Sequence, residues 1–307
     1  MFNRQIPVRG VLEAYERATI DYYGGVIDYD TYKNRVRRAE QMNTDWLGAV
    51  MQDVISSNNS IGVSGGNQLS RYYASVGYTN ERGVIKGEYN KRYTAQIKFD
   101  LNTRKLKAQF SLMANKNDRR YTPSSVGVMN FAYSTSRAIP IYNEDGSLHY
   151  FPVSNNVNTA RRSTFNIINE MDHSGDELNG SSYMATTNLN YELIKGLQLE
   201  ATLSYGMSNT EQRKWFEENT DAIDKLNGRV DDPVPVTLSI PFGGVLDRKT
   251  DRVSNYTIRG QANYSRFVDV TNKHLINATF GAELSSMKNS SFAQHNVGYY
   301  PARGYTF

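Results

Sequence analysis

The sequence predicts an all-β fold, an antiparallel transmembrane β-barrel segment of about eight strands with short helices near the N-terminus. Three observations predict it: apolar and polar residues alternate in segments of about ten residues, tyrosines recur at the ends of the apolar rows, and short turns alternate with long connections. Alternation puts the two sets of side chains on opposite faces of a strand. A membrane-spanning strand therefore needs only alternate apolar positions, which agrees with a mean hydropathy of −0.60.

Helical patterns are confined to the first part of the chain. Apolar residues recur at helical spacing within 11–23 and 31–55, and Asp45 is a candidate cap inside the second segment. We therefore divide the chain into a partly helical loop region at 1–55 and a β-barrel segment at 56–307.

Four hairpins account for the eight predicted strands. Their apolar rows are Ile61 and Val63; Tyr72, Ala74, Val76 and Tyr78; Tyr93, Ala95, Ile97, Phe99 and Leu101; Leu106, Ala108, Phe110, Leu112 and Ala114; Tyr183, Ala185, Thr187, Leu189 and Tyr191; Leu197, Leu199, Ala201, Leu203 and Tyr205; Tyr256, Ile258, Gly260, Ala262 and Tyr264; and Ile276, Ala278, Phe280, Ala282 and Leu284. Short turns such as 102–105 join the two rows of each hairpin. The connections at 118–180 and 210–251 are much longer, and this asymmetry predicts extracellular loops.

Tyrosine placement separates a membrane barrel from a soluble β-sandwich, since alternation occurs in both. Tyr183 and Tyr191, like Tyr256 and Tyr264, bracket an apolar row at a spacing of eight residues. That spacing corresponds to roughly 27 Å of strand and, at a tilt of about 45°, to roughly 20 Å of height. We interpret such tyrosines as aromatic girdles at the two membrane interfaces; the ordinary preference of tyrosine for strands is the alternative. The predicted girdle residues are Tyr72, Tyr78, Tyr93, Tyr183, Tyr191, Tyr205, Tyr256 and Tyr264.

A series of short motifs lies between Thr44 and Lys107. In order, they are Thr44-Asp45-Trp46, Ser60-Ile61-Gly62-Val63-Ser64-Gly65-Gly66-Asn67, Tyr72-Tyr73-Ala74-Ser75-Val76-Gly77-Tyr78, Gly83-Val84-Ile85-Lys86-Gly87 and Arg92-Tyr93. In wording, order and spacing they closely resemble successive landmarks of the SusC/RagA-like, TonB-linked outer-membrane transporters.

The resemblance implies part of a larger importer in the cell outer membrane of a Gram-negative bacterium. Members of this family have a roughly 22-stranded barrel filled by an N-terminal plug. They couple to TonB through a periplasmic segment, pair with a SusD-like surface lipoprotein and import oligosaccharide or peptide fragments. The sequence contains no recognisable plug, TonB-contacting segment or signal peptide, so we expect TonB to act through parts absent from this chain.

A self-closing barrel is the alternative to a segment of a larger one. An open eight-stranded sheet in lipid leaves unpaired backbone groups at two edges, and each costs several kcal/mol. The chain therefore either pairs with further strands or closes as a small barrel with an adhesive or structural role. In both cases outer-membrane lipid is an expected contact.

Enzymatic and other binding functions are not predicted. Gly62–Gly66 fits the nucleophile elbow G-x-S-x-G around Ser64, but the elbow requires a following helix, whereas alternation continues through 67–81. We expect no catalytic residue and no cofactor. The chain has no cysteine, and the acidic residues of 211–224 lack the spacing of a calcium loop, so no metal site is predicted. The net charge of +4 is spread along the chain, which argues against nucleic acid as a partner.

Aromatic residues of the long connections are the ligand-contact candidates. Flat apolar rings suit sugar rings and peptide side chains alike, and they lose little entropy on binding. The candidates are Tyr142, Tyr150, Phe151, Trp215 and Phe216. Packing within a loop or against a partner lipoprotein is the alternative explanation for them.

Overall fold

The computed structural model describes residues 15–154, 162–227, 240, 242–269 and 273–303. Its helices are α1 (Tyr15–Tyr23), α2 (Tyr29–Gln41), α3 (Trp46–Val50), α4 (Val128–Ser134), α5 (Ile167–Asp172) and α6 (Asp221–Asn227), with 3₁₀ turns at Ser124–Val126 and Pro301–Arg303. Its strands are β1 (Ser56–Gly66), β2 (Ser70–Arg82), β3 (Tyr89–Asn102), β4 (Leu106–Tyr121), β5 (Phe151–Ser154), β6 (Arg162–Phe165), β7 (Ser174–Ile194), β8 (Leu197–Phe216), β9 (Gly244–Phe267) and β10 (Leu275–Tyr299).

Eight of these strands form one antiparallel sheet in the order β1-β2-β3-β4-β7-β8-β9-β10, and β5 pairs only with β6. Every neighbour in the large sheet is the next of these strands along the chain, so the sheet is a continuous meander. The predicted eight-stranded antiparallel fold is confirmed. Within the described residues β1 and β10 do not pair with each other, so the sheet is open at both edges.

The strand register places the predicted apolar rows on one face of the sheet. Tyr72 lies opposite Phe99, Phe99 opposite Phe110, and Phe110 opposite Thr187. The same row continues through Leu203 to β9 and β10. Directly opposed residues of an antiparallel pair point to the same face, so all eight rows share one surface.

The strands extend further into the long connections than alternation predicts. β4 ends at Tyr121 and β7 begins at Ser174, so the first connection covers 122–173 instead of 118–180. By the same comparison the second covers 217–243 instead of 210–251. The reason is that both faces of these strand ends are polar, so the period-two signal disappears while the ladder of backbone hydrogen bonds continues.

The N-terminal helices differ in part from the expectation. The second helical segment is broken, because α2 ends at Gln41 and α3 covers only Trp46–Val50. Asp45 caps α3 as expected, since its carboxylate accepts a hydrogen bond from the Gly48 amide at 3.1 Å. Residues after Val50 are extended, and Met51 forms a β-bridge with Ile85. The expected helical residues 11–14 lie outside the described residues.

The largest buried cluster among the described residues lies between α3 and the connection 122–173 and not behind the sheet. It comprises Trp46, Val50, Val128, Phe131, Ala132, Ile139, Phe165 and Ile167. The Trp46 ring meets Phe131 edge-on at 5.1 Å, and its Nε1 donates to the Ser136 carbonyl at 3.0 Å. Helix α3 is thereby fastened to the connection 122–173 at the end of the sheet where β4 and β7 are joined.

Candidate functional site

The apolar face of the large sheet is exposed over its whole width. Ile97 in the middle of the sheet is 47% exposed, and Phe280 on the β10 edge is 80% exposed. Among the described residues the only other sheet is the two-stranded β5–β6 hairpin. A soluble sandwich would bury this face against a second sheet. An apolar surface of this extent instead marks contact with lipid or with another protein.

The tyrosines near the short turns follow a diagonal across the sheet. In the row that contains Tyr72 on β2, the residue on β7 is Thr187 and the residue on β9 is Ile258. Tyr191 lies four residues beyond Thr187 towards the turn, and Tyr264 lies six residues beyond Ile258 in the same direction. The line of tyrosines is thus displaced towards the short turns by four residues between β2 and β7, which are three strands apart. Between β2 and β9, which are five strands apart, the displacement is six residues.

This stagger is the one that strands of a barrel require. At about 3.4 Å per residue and about 4.8 Å between strands, it corresponds to a line inclined by about 40° to the perpendicular of the strands. Strands of membrane barrels tilt by 35–45°, so residues at one depth follow a line of that inclination. The turn-side tyrosines, Tyr72, Tyr191 and Tyr264, therefore share one depth if the sheet is part of such a barrel.

A second set of tyrosines follows a parallel line near the long connections. Tyr78 and Tyr93 face each other on β2 and β3 with ring centroids 4.9 Å apart, and Tyr205 lies opposite Tyr256 on β8 and β9. The row that contains Tyr93 on β3 reaches β8, three strands further along the sheet, at Asn209. Tyr205 lies four residues from Asn209 towards the short turns. The loop-side tyrosines, Tyr78, Tyr93, Tyr183, Tyr205 and Tyr256, have the same stagger as the turn-side set.

The opposite face of the sheet is polar and carries two grooves. The larger, of about 710 Å³, is lined by residues including Arg92, Gln96 and Asn115. The smaller, of about 510 Å³, lies nearer the short turns and includes Asp100 and Glu200. On this face, side chains of β7 and β8 form hydrogen bonds with each other. Such a polar surface suits contact with water or with polar solutes.

Three of the five ligand-contact candidates lie in the connection 122–173, and two of these, Tyr142 and Tyr150, have part of the ring exposed. Tyr142 is 52% exposed and borders a cavity of about 380 Å³ together with Lys86 and Arg120. Tyr150 donates through its hydroxyl to Asn169 Oδ1 at 3.0 Å. Partial burial, together with the nearby Glu170 charge, raises the pKa of Tyr150. The structure therefore places Tyr142 and Tyr150 in one loop region.

The other candidates lie in strands. Trp215 is the penultimate residue of β8, is only 8% exposed and packs against Leu246 and Tyr299. Phe216 is half-buried at the end of the same strand. Phe151 begins β5, where it pairs with Phe165. Alternation stops before Trp215 and Phe216 and therefore predicts a loop there, whereas the structure places both in β8 and packs them against neighbouring residues.

A buried carboxyl group joins the two long connections, and the sequence carried no local signal for it. Glu170 on α5 is 2% exposed, and its Oε1 accepts a hydrogen bond from the backbone amide of Asp221 on α6 at 3.0 Å. Asn169 adds a second link through its side-chain amide, which donates to the Asn219 carbonyl at 2.7 Å. Burial raises the pKa of Glu170 to about 7.

The local structure around Ser64 differs from a nucleophile elbow. Ser64 lies in β1 opposite Tyr73, and the chain turns directly into β2 without an intervening helix. Across the described residues, no three histidine, aspartate or glutamate side chains converge in a way that would hold a metal ion. No helix in the described part of the chain has the length and apolar character needed to cross a membrane.

Comparison with known proteins identifies relatives of one kind, although no protein-family model matches the chain. TonB-dependent receptor P3 of Formosa agariphila is 26% identical over 182 residues, which are 56% of this chain and 18% of that receptor. TonB-dependent receptor SusC of Bacteroides thetaiotaomicron is 27% identical over 115 residues, which are 34% of this chain and 10% of SusC. The structure of the RagAB peptide transporter matches 96% of this chain and 31% of the solved chain, with a TM-score of 0.61 and 19% identity.

These comparisons show that the chain matches only part of the length of its relatives, and they also indicate its fold. The matched region spans less than a fifth of the curated relatives, at 18% and 10%, and about a third of the solved chain, at 31%. At 19% identity the structural likeness shows the fold, which is an antiparallel barrel segment. The resemblance to SusC/RagA-like, TonB-linked transporters is thus confirmed, and the chain is similar to a segment of the barrel of such a protein.

Proposed function

We propose that this chain forms part of the barrel wall of a TonB-dependent importer of nutrients in the outer membrane of a Gram-negative bacterium. The observation that carries the proposal is the exposed apolar face, whose eight rows are in register and are bracketed by two parallel lines of tyrosines. The similarity to TonB-dependent receptors supports it independently.

The open edges favour a larger barrel over a small self-closing one. β1 and β10 each have one side without a strand partner among the described residues, and such backbone groups are costly in lipid. Further strands of the same protein would satisfy them. Closure of these eight strands on themselves would instead give an interior just filled by side chains, with no path for a nutrient.

The proposal assigns a role to each region of the chain. Residues 56–307 form the barrel wall, and the two tyrosine lines lie at the two membrane interfaces. The connections 122–173 and 217–243 lie outside the cell. The partly helical region 1–55 lies on the same side, because its helix α3 packs against the connection 122–173. The polar face lines the lumen and contacts solute or plug, and no catalytic step is required of any residue.

The similarity to TonB-dependent receptors supports a proposal for the partners and the substrate. We infer a SusD-like surface lipoprotein over the long connections and TonB contact through segments other than those seen in this chain. The substrate is an oligosaccharide or a peptide, with Tyr142 and Tyr150 as contact residues in the long connection. RagAB is described as a peptide transporter, which supports the peptide alternative.

Uptake in living cells tests the proposal. Cells that contain the protein and cells that lack it are given fluorescent oligosaccharides and peptides, with and without a protonophore. We expect uptake of one substrate class that requires both the protein and the proton gradient. Equal uptake in the cells that lack the protein, or recovery of the protein in the soluble fraction without detergent, would contradict the proposal.

A further inference from the structure

Cationic side chains are concentrated on the apolar face just beyond the loop-side tyrosines. We call the following five residues the loop-side cationic belt: Arg82 on β2, Lys91 on β3, Lys116 on β4, Arg252 on β9 and Lys288 on β10. They form two groups in the sheet, three residues on the neighbouring strands β2 to β4 and two on β9 and β10, with none on β7 and β8 between them.

The register fixes the height of the belt relative to the tyrosines. Lys116 lies directly opposite Tyr93, and Lys91 lies two residues beyond Tyr93 along β3. Arg252 lies four residues beyond Tyr256 on β9, and Lys288 lies two residues beyond the partner of Tyr256 on β10. Four residues correspond to about 14 Å along a strand and, at the barrel tilt, to roughly 10 Å of height. The belt thus lies directly beyond the tyrosines.

The charge of the belt is hardly compensated. Lys116 is 3.4 Å from the Asp118 carboxylate. Among the described residues, Asp118 is the single acid on this face at the height of the belt. The other four cations have no carboxylate at ion-pair distance among the described residues. The Lys91 ammonium lies 4.8 Å from the centre of the Tyr89 ring, and Arg252 Nε is 3.4 Å from an amide oxygen of Asn209. These neutral contacts leave the positive charge in place.

The opposite face of the same strand ends carries no such excess. Beyond the loop-side tyrosines the polar face has equal numbers of cations and acids: Arg92, Arg119, Lys214 and Lys249 against Glu81, Asp176, Asp247 and Asp251. The apolar side has eight cations and three acids: Arg82, Lys91, Lys116, Arg120, Arg213, Arg248, Arg252 and Lys288 against Asp118, Glu177 and Glu211. Three of the eight cations on the apolar side, Lys116, Arg213 and Arg248, are within 4 Å of an acid of that side, so the excess of five positive charges remains on the others.

We propose that the loop-side cationic belt binds the phosphate groups of anionic lipid headgroups in the outer leaflet. The inference rests on the proposed membrane function, which puts lipid against the apolar face. Headgroups begin where the aromatic rings of a girdle end, and basic side chains near an anionic lipid surface are attracted to it. Long Lys and Arg side chains keep their alkyl parts on the apolar surface while the charged ends reach the headgroups.

The test uses the whole protein, purified from the outer membrane in a non-ionic detergent. Native mass spectrometry counts the lipid molecules retained when phosphatidic acid or diacylglycerol, which differ only by the phosphate, is added. The belt variant combines Lys91→Gln, Arg252→Gln and Lys288→Gln. The control combines Arg119→Gln, Lys214→Gln and Lys249→Gln, which remove the same charge from the polar face. Heat-modifiable migration on gels confirms that both variants are folded.

We expect the wild type to retain phosphatidic acid and not diacylglycerol. The belt variant should bind phosphatidic acid more weakly by on the order of tenfold, and the control should stay within about twofold of the wild type. Equal binding by the belt variant and the control, or equal retention of both lipids, would overturn the proposal that the belt binds lipid phosphate. Neither result would bear on the proposed membrane function. A protein that stays monodisperse without detergent would overturn the membrane function and the belt together.

Discussion

Glu170 and Asp221 connect the two long connections of the chain, since Glu170 Oε1 accepts a hydrogen bond from the Asp221 backbone amide at 3.0 Å. The bond places a carboxyl group at the start of α6, where the first amides of a helix have no partner within the helix. One oxygen of the Asp221 carboxylate is itself buried without a hydrogen-bond partner in the described residues. This hydrogen bond favours the charged form of Glu170, but burial and the neighbouring Asp221 carboxylate outweigh it and favour the neutral form.

The contact between the two connections should weaken as the pH rises. Burial raises the pKa of Glu170 from 4.5 to about 7. The contribution of neutral Glu170 to the stability of this contact is therefore complete at pH values below 4.5, the ordinary pKa, and is lost as the pH rises through about 7. We expect local opening of α5 and α6 to become more frequent by on the order of tenfold between pH 6 and pH 8. Hydrogen exchange of their amides, corrected for the intrinsic effect of pH, measures this.

Two variants show whether Glu170 is the responsible group. Glu170→Gln should remove most of the pH dependence, because an amide of similar shape keeps the acceptor and does not ionise. Glu144→Gln, in an exposed part of the same connection, should leave it unchanged. A pH dependence that persists in Glu170→Gln would assign it to another group.

Truncation of Trp46 should loosen the connection 122–173. The ring is almost fully buried against Phe131, and its Nε1 is bonded to the Ser136 carbonyl. Trp46→Ala removes the largest side chain of this cluster, and we expect a local cost of about 3–5 kcal/mol. Limited proteolysis should then cleave within 122–173 much faster than in the wild type.

The matched variant for this cluster is Trp46→Phe, which keeps most of the ring and loses the hydrogen bond. Its effect should be clearly smaller, because the main contribution is apolar burial. If both variants are cleaved at the wild-type rate, helix α3 does not hold the connection in place.

A charge in the middle of the apolar face should impair folding in the membrane. Ile97 is central on β3, between the two tyrosine lines, and Gln96 is its neighbour on the polar face. We expect Ile97→Arg to cost about 2–4 kcal/mol in a bilayer. Gln96→Arg should cost little, since the side chain stays in water. The folded fraction after refolding into lipid vesicles, read from heat-modifiable migration on gels, compares the two; equal yields would argue against a lipid-facing row.

The sequence pattern predicted the sheet wherever one face is apolar and the other polar. At 92–101 every second residue is apolar, and the register puts these residues on the shared face. The pattern ended too early at the loop side of β9, where Arg248 and Lys249 point to opposite faces and are both polar. There the strand is held by its backbone ladder and by ion pairs such as Arg248–Glu211 at 2.6 Å. Neither leaves a period in the sequence.

The candidate site was predictable only in part for a similar reason. Tyr142 and Tyr150 are placed in a long connection by their position between strands. The contact of Glu170 with Asp221 joins residues 51 positions apart. No local pattern of residue types encodes a hydrogen bond between two loops. Alternation ends before Trp215 and therefore predicts a loop, yet the ring of Trp215 packs against residues of the neighbouring strands.

Single cysteines offer a direct map of the two faces, because the chain contains no cysteine of its own. Ile97→Cys, Gln96→Cys and Tyr142→Cys would place a spin label on the apolar face, the polar face and the long connection respectively. In lipid vesicles we expect the label at Ile97 to collide with oxygen more than with a polar nickel reagent, because oxygen concentrates in hydrocarbon. Labels at Gln96 and Tyr142 should show the reverse preference. If the labels at Ile97 and Gln96 behave alike, the apolar rows face another protein or water and the membrane orientation is wrong.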